Sequence, residues 1–196
     1  MRSLTAASLL LLLVLMPGCK TVYSDHLIGE PIAAEDAKEL EGIWRFGDSA
    51  MHVKHIEGGE FVAAFLEWEE GEFEMGTMDL VITRLGDAHF LHATEATEDE
   101  DEDEDNQDPE DGDEPWIIAG LLTGLQEHAV VLSAPEFDHF VQAIEAGVLE
   151  GEVDEDDNSL HIRGDKAALD GLIEQGNLHE LFHMQEPLVI TRIDDL

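Results

Sequence analysis

Between Ile43 and Thr94 the chain is cut into short runs by turns of glycine and acid, and that punctuation leaves little choice of fold. "IWRF" turns at "GDS", "AMHVKHI" at "EGGE" and "FVAAFLEW" at "EEG". "EFEM" and "MDLVITRL" follow, and after a "GD" turn comes "HFLHAT". The runs are short for helices and rich in aromatic and β-branched residues, which fit a pleated surface. Gly with an acid beside it supplies the backbone that tight hairpin turns require. Six candidate strands in antiparallel hairpins are therefore expected in this half.

The second half mixes strands with helices. "WIIAGLLTGL" and "AVVL" read as a buried hairpin around Gln126, Glu127 and His128. "SAPEFDHFVQAIEAG" reads as a helix. Phe137, Phe140, Val141 and Ile144 recur at helical spacing, Ser133 and Glu136 have capping-box spacing, and Gly147 closes it. "LEGEV" and "SLHIR" form another hairpin, and "DKAALDGLIEQG" a second helix with Leu169, Leu172 and Ile173 inward. "NLHELFHM" gives one or two further turns before Pro187, and "PLVITRI" closes the chain as a strand. A short helix, "AAEDAKELEG", precedes the first strand and ends at Gly42. The expected fold is a single α+β domain over 34–196. It is mainly antiparallel sheet, curled towards a half-barrel, with two to four short helices on one face. Leu80-Val81-Ile82-Thr83-Arg84 returns as Leu188-Val189-Ile190-Thr191-Arg192. Either two core strands reached one composition independently, or the halves arose by duplication.

Charge sets the surroundings. The chain has 47 acids against nine Lys and Arg, for a net charge of −38. Thirteen of the acids lie in one tract, "EDEDEDEDNQDPEDGDE", from Glu98 to Glu114. Almost free of apolar residues, the tract can bury nothing, so the domain is expected to be interrupted by a disordered loop at about 97–114. The remaining 34 acids still outnumber the bases, so acidity belongs to the whole surface. Nucleic acid, which needs a basic footprint, is excluded as a partner. A saline medium and divalent cations are the natural companions of such a surface.

The N-terminus carries the most specific motif. After Met1-Arg2, an apolar stretch of 13 residues runs from Leu4 to Met16, broken only by Thr5 and Ser8. A membrane-crossing helix needs about 20 residues, whereas this length suits the apolar core of a secretory signal. Pro17-Gly18 then breaks any helix, and Cys19 follows as the chain's sole cysteine. Met16-Pro17-Gly18-Cys19 resembles the lipobox of bacterial lipoproteins. The resemblance covers residues 1–19. It implies a signal peptide over 1–18, diacylglycerol on the Cys19 sulfur, and an acylated N-terminus at Cys19 that ties the chain to a lipid bilayer. Lys20 in place of Asp after the cysteine points to the outer membrane rather than the inner. Residues 19–33, "CKTVYSDHLIGEPIA", read as a lipidated tether leading into the fold.

Two metal motifs stand against simpler readings. His179-Glu180-Leu181-Phe182-His183 is similar to the zincin metallopeptidase motif over five residues. On a helix it would set two imidazoles on one face for zinc, with Glu180 as base. Against this, Gly176 and Pro187 bracket a short helix, Leu178, Leu181 and Phe182 make an ordinary core stripe, and Asn177 with Glu180 fits a cap. Asp154, Asp156 and Asn158 match the first ligand positions of a calcium loop, but Ser159 replaces the glycine and Asp165 the final Glu. A polar hairpin turn explains them more simply. His52 with His55, and His89 with His92, are each three apart on strands. They therefore face opposite ways and read as surface histidines.

The sequence thus reads as a cell-envelope lipoprotein, a non-catalytic binding or structural module at a bacterial membrane surface. No catalytic residue is assigned and no protein partner is named. The alternative is a metal-binding protein or zinc-dependent hydrolase using His179 and His183, with zinc or calcium as the candidate cofactor.

A body with this charge repels itself, and salt screens the repulsion over about 10 Å at 0.1 M. The midpoint of thermal unfolding is therefore expected to rise between low salt and about 1 M NaCl. A flat or falling midpoint in a calorimetric salt series would contradict this.

Overall fold

In the computed structural model, residues 20–193 are described apart from 48, 70–71, 95–96, 99–114, 126–127, 155–156 and 186. In chain order, β1 (Thr21–Ser24), β2 (Glu30–Pro31), α1 (Ala34–Lys38), β3 (Gly42–Phe46), β4 (Ser49–His55) and β5 (Glu60–Glu69) come first. β6 (Glu72–Leu85), β7 (Ala88–Ala93), β8 (Thr97–Glu98), β9 (Trp116–Thr123) and β10 (Ala129–Ser133) follow. The remainder is α2 (Phe137–Glu145), β11 (Glu150–Asp154), β12 (Ser159–Arg163), α3 (Lys166–Gln175), α4 (Leu178–Leu181) and β13 (Leu188–Arg192).

The expected hairpins close on themselves. β3, β4, β5, β6, β7, β9, β10 and β13 pair antiparallel in that order, and β13 returns to β3. The result is a closed eight-stranded barrel rather than a half-barrel. An eight-stranded barrel has an interior just wide enough to be filled by side chains. Here Trp44, Val53, Phe61, Leu80, Ile82, Leu91, Leu122, Leu132 and Ile190 fill it. "EFEM" and "MDLVITRL", expected as two strands, are one. Gly76 lies in register opposite Phe65, so β6 runs through it without a turn.

The barrel is only half of the molecule. β9 pairs with β7 along one edge, while its other edge is shared. Trp116 and Ile117 pair with β1, whereas Leu121 to Thr123 pair with β10. Between them Gly120 has φ +153, and a Cβ there would sit 2.3 Å from the Ser133 carbonyl oxygen. A bulge against β7 falls at the same place, between Leu91 and His92. The strand therefore forks the sheet. β1 carries β12 in parallel and then β11 away from the barrel. Helices α2, α3 and α4 pack on this wing and on the outer wall of the barrel. Phe90, Ile118, Leu121, Phe140, Leu160, Leu169, Ile173 and Phe182 form that second core. β9 is buried on both faces, so its sequence is an unbroken apolar run without alternation.

This wing corrects the expectation of a tether. Residues 21–33 are part of the fold: Val22 is 1% exposed, Ser24 and Ile28 are fully buried, and Ile32 is buried. "TVYS" looks too short and polar to hold itself, but it gains hydrogen bonds on both edges, from β9 and β12. The helix cap also differs. Ser133 is buried at the end of β10, and α2 starts after Glu136 without a side-chain cap. Most of the acidic tract, and Cys19, lie outside the described residues.

The repeated LVITR segments occupy β6 and β13, four strands apart in the ring of eight. Ile82 and Ile190 both point into the barrel. Each segment is the fourth strand of a consecutive meander, β3 to β6 and then β7, β9, β10 and β13. Between β10 and β13 the chain inserts α2, β11, β12, α3 and α4, whereas β5 and β6 are joined by a direct hairpin.

Gly120→Ala should lower stability by more than the roughly 1 kcal/mol of an ordinary Gly to Ala change, since both the φ and the close carbonyl oppose a Cβ. Gly86→Asn is the control: its φ is +62 with nothing within 4 Å of a Cβ, and Asn tolerates that backbone. Denaturant midpoints for the two variants that fall equally would contradict the role given to the fork.

Candidate functional site

The HELFH segment does not form one helical face. α4 ends at Leu181, and Phe182 is extended at φ −136 and ψ 139. Asn177 caps the helix by accepting the His179 N–H, and its amide donates to Glu180. Phe182 leaves the helix to bridge Pro135 and to insert its ring between Phe90 and Phe140, at 5.7 and 6.4 Å. Packing of that ring outweighs continuation of a helix that is only a turn long. His183 is carried towards the start of α2, where its Nδ1 lies 2.9 Å from the Glu136 carboxylate and its N–H bonds Ala134. His179 lies exposed at the rim of a groove of about 490 Å³ between the β6–β7 turn and α3–α4. Among the described residues no group of three or more His, Cys, Asp or Glu could hold a metal ion.

The calcium-loop residues are likewise divided. Asp154 accepts the Asp157 N–H at 3.2 Å within the β11–β12 turn, and Asn158 takes the left-handed backbone at φ 52. Asp156 is outside the described residues. Asp165 caps α3 by accepting the Ala167 N–H, with the whole of β12 between it and the turn. Five extended residues span roughly 16 Å, too far for one ion to bridge.

The histidine pairs face opposite ways on their strands, but the surface reading fails for His92. His52 is exposed, and His55 bonds the Gly58 carbonyl and meets Phe61 edge-on. His92 is fully buried, because the outer face of β7 lies under the helices. Its Nε2 accepts the Ile28 N–H at 3.3 Å and lies 3.3 Å from the Thr83 hydroxyl, while Nδ1 has no hydrogen-bond partner. Burial, then the Lys166 charge, lowers its pKa to about 3, opposed by Asp170. The imidazole is therefore neutral at pH 7. Beside it α3 grips the Gly29 peptide. Asp170 accepts the Gly29 N–H at 2.8 Å, and Lys166 donates to the Gly29 carbonyl at 2.7 Å and to Asp170 at 2.8 Å. Period-two alternation could reveal that His89 and His92 face opposite ways. Only the helix layer decides that one of the two faces is dry.

One concave feature escaped the sequence. At the end of the barrel near α1 is a hollow of about 560 Å³, walled by Leu40, Trp44, Leu125 and Val130, with Lys38 and Arg192 at its rim. Trp44 Nε1 donates to the Leu40 carbonyl at 2.8 Å. Arg192 donates to the carbonyls of Glu39 and Glu41 at 2.8 and 2.7 Å, and its guanidinium lies 5.8 Å from the Trp44 ring. The loop after α1 is thereby strapped across the mouth. Polar and apolar atoms share its lining about equally, and the mouth of a β-barrel is one of the places where small-ligand sites form. Its residues come from three stretches far apart in the chain, around 38–44, 125–130 and 192, so no sequence spacing announces it.

The pH dependence of His92 has a definite sign. With its folded pKa below the unfolded value, its contribution to stability is present above pH 6.5 and is lost as pH falls towards 3. Relative to a neutral His92→Gln variant, the wild type should therefore lose up to about 1.4 kcal/mol per pH unit below 6.5. The 47 acids titrate alike in both chains and cancel in the difference. A stability gap unchanged between pH 7 and 5 in paired denaturation curves would refute the buried, neutral assignment.

No protein-family model, curated protein or solved structure matches the chain.

Proposed function

We propose that the chain is a non-catalytic binding module, held at the surface of a bacterial envelope membrane by acylated Cys19. The observation that carries this reading is the position of the lone cysteine. It ends an apolar run with a Pro-Gly break, and strand β1 of the folded domain begins two residues later at Thr21. A thiol placed there is suited to attachment, and two or more acyl chains make a stable anchor. Lys20 after the cysteine favours the outer membrane, and the acidic surface favours a saline medium with divalent cations as companions.

The hollow at the barrel mouth is where such a module would take a small ligand, because the rest of the barrel interior is filled by side chains. The separation of His179 from His183 favours this reading over a zinc-dependent hydrolase: two imidazoles that no longer share a helical face lack the start of a three-ligand site.

Cys19→Ser tests the anchor. The variant is expected in the soluble fraction after cell disruption, or in the membrane fraction as an uncleaved precursor that still carries residues 1–18. Normal cleavage together with full membrane retention would refute the lipidated reading.

A further inference from the structure

The groove of about 490 Å³ between the β6–β7 turn and α3–α4 differs from the hollow at the barrel mouth in both lining and charge. Its floor is mainly apolar, made by Leu85, Ala88, Leu121, Ile173, Leu178 and Met184. Leu121 and Ile173 belong to the second core, and the other four are only partly covered by it. Gly86, at the tip of the β6–β7 turn, has nothing within 4 Å of where a Cβ would stand, so the space beside the turn is open. On the other side α4 stops after one turn, because Phe182 leaves it for the slot between Phe90 and Phe140, and Met184 follows as a wall of the groove.

The rim is acidic. Lys38 and Arg192 stand at the barrel mouth, whereas no Lys or Arg lines this groove. Its carboxylates are those of Asp87 and Glu174, both exposed, with His179 beside them. Arg84 and His89 pair across β6 and β7 on the face opposite the Leu85–Ala88 pair, so they point away. Lys166 is at the far end of α3, held by Gly29 and Asp170. The end of α3 adds to the acids. Ile173, Glu174 and Gly176 line the groove, and the last turn of that helix carries no basic side chain. The final carbonyls of a helix lack intrahelical partners and carry a partial negative charge that favours a cation.

From this we infer that the groove binds a small organic cation with an apolar body, an alkyl- or arylammonium. Its hydrocarbon lies on the floor, and its ammonium turns to the rim of Asp87, Glu174 and the end of α3. The volume is within the range of small-ligand sites. An organic anion would be repelled at the rim and by the net charge of −38. An inorganic cation would leave the apolar floor unused, and the described residues offer no group of three ligands to hold one. Neither acylation of Cys19 nor occupancy of the barrel mouth is required.

Three probes of one shape test it: 2-phenylethylammonium, 2-phenylethanol and 3-phenylpropanoate. The full chain, in phosphatidylcholine nanodiscs, would carry methyl-labelled methionine. The Met184 methyl resonance reports the groove, and Met51, on β4 across the ring from β9, is the remote reference. At about 0.15 M salt the field of the body is screened beyond about 8 Å, so nearby groups make the selection. Met184 is expected to titrate to saturation with the ammonium about tenfold more tightly than with the carboxylate, with the alcohol between, while Met51 stays unmoved. Asp87→Asn together with Glu174→Gln, both at exposed positions, should cut that preference to about threefold or less. Equal affinity for the three probes, or a Met184 shift that does not saturate, would overturn the proposal. A preference unchanged in the double variant would also overturn it, since the selection would then belong to the charge of the whole body and not to this rim.

Discussion

A strand has two edges, and β9 serves three neighbours. Everything beyond a plain barrel follows from how that is done. The strand gives one edge to β7 and divides the other between β1 and β10, and Gly120 with its adjoining bulge supplies the bend between the two halves. Pairing with β10 closes the eight-stranded ring and so removes the open edge that would otherwise template aggregation. Pairing with β1 starts a second sheet, whose underside and whose helices need a second core. A side chain at position 120 would force a choice between closure and the wing, because the Ser133 carbonyl approaches where a Cβ would stand.

The fork also explains where polar groups could be buried. The outer wall of the barrel at β7 is covered by the helix layer, so His92 and Thr83 are dry, and the chain returns Ile28 to meet them. Holding that return takes a charged clamp, Lys166 and Asp170, on the Gly29 peptide. In a chain with nine basic side chains against 47 acids, spending one on a backbone carbonyl indicates that the 28–32 segment is part of the scaffold. Arg192 is used the same way at the barrel mouth, strapping the loop after α1 through two carbonyls. Lys166 holds its carbonyl while also pairing with Asp170, so one cation fixes both the loop and the helix beside it.

The two LVITR strands show how far one short segment constrains its surroundings. Each enters the barrel with its isoleucine inward and its arginine two residues on, near the same end. At β6 the arginine faces His89 across the ladder and is exposed, whereas at β13 it is drawn over Trp44. Equal sequences occupy equal ring positions, and the difference in their surroundings comes from the loops at their ends.

The sequence by itself determined the local elements. Hairpins, turns and helices are set by alternation, glycine turns and apolar spacing within a few residues, so β3 to β5, β7, the β9–β10 hairpin and α2 to α4 are legible in it, as are Asn177 as a cap and the opposite facing of His89 and His92, whereas β6 reads as two strands because Gly76 interrupts its pattern. Tertiary structure alone decided ring closure, the sharing of β9, the incorporation of residues 21–33, the dryness of His92 and the hollow at the barrel mouth. Each of these depends on partners far apart in the chain: Thr21 with Ser159, Ile28 with His92, Glu39 with Arg192. HELFH fails as a unit for the same reason. Its spacing is a helical property, but a ring slot between Phe90 and Phe140 outweighs the last turn of a short helix, since burial of an aromatic side chain contributes about 1.5–3 kcal/mol and one more residue of helix contributes far less.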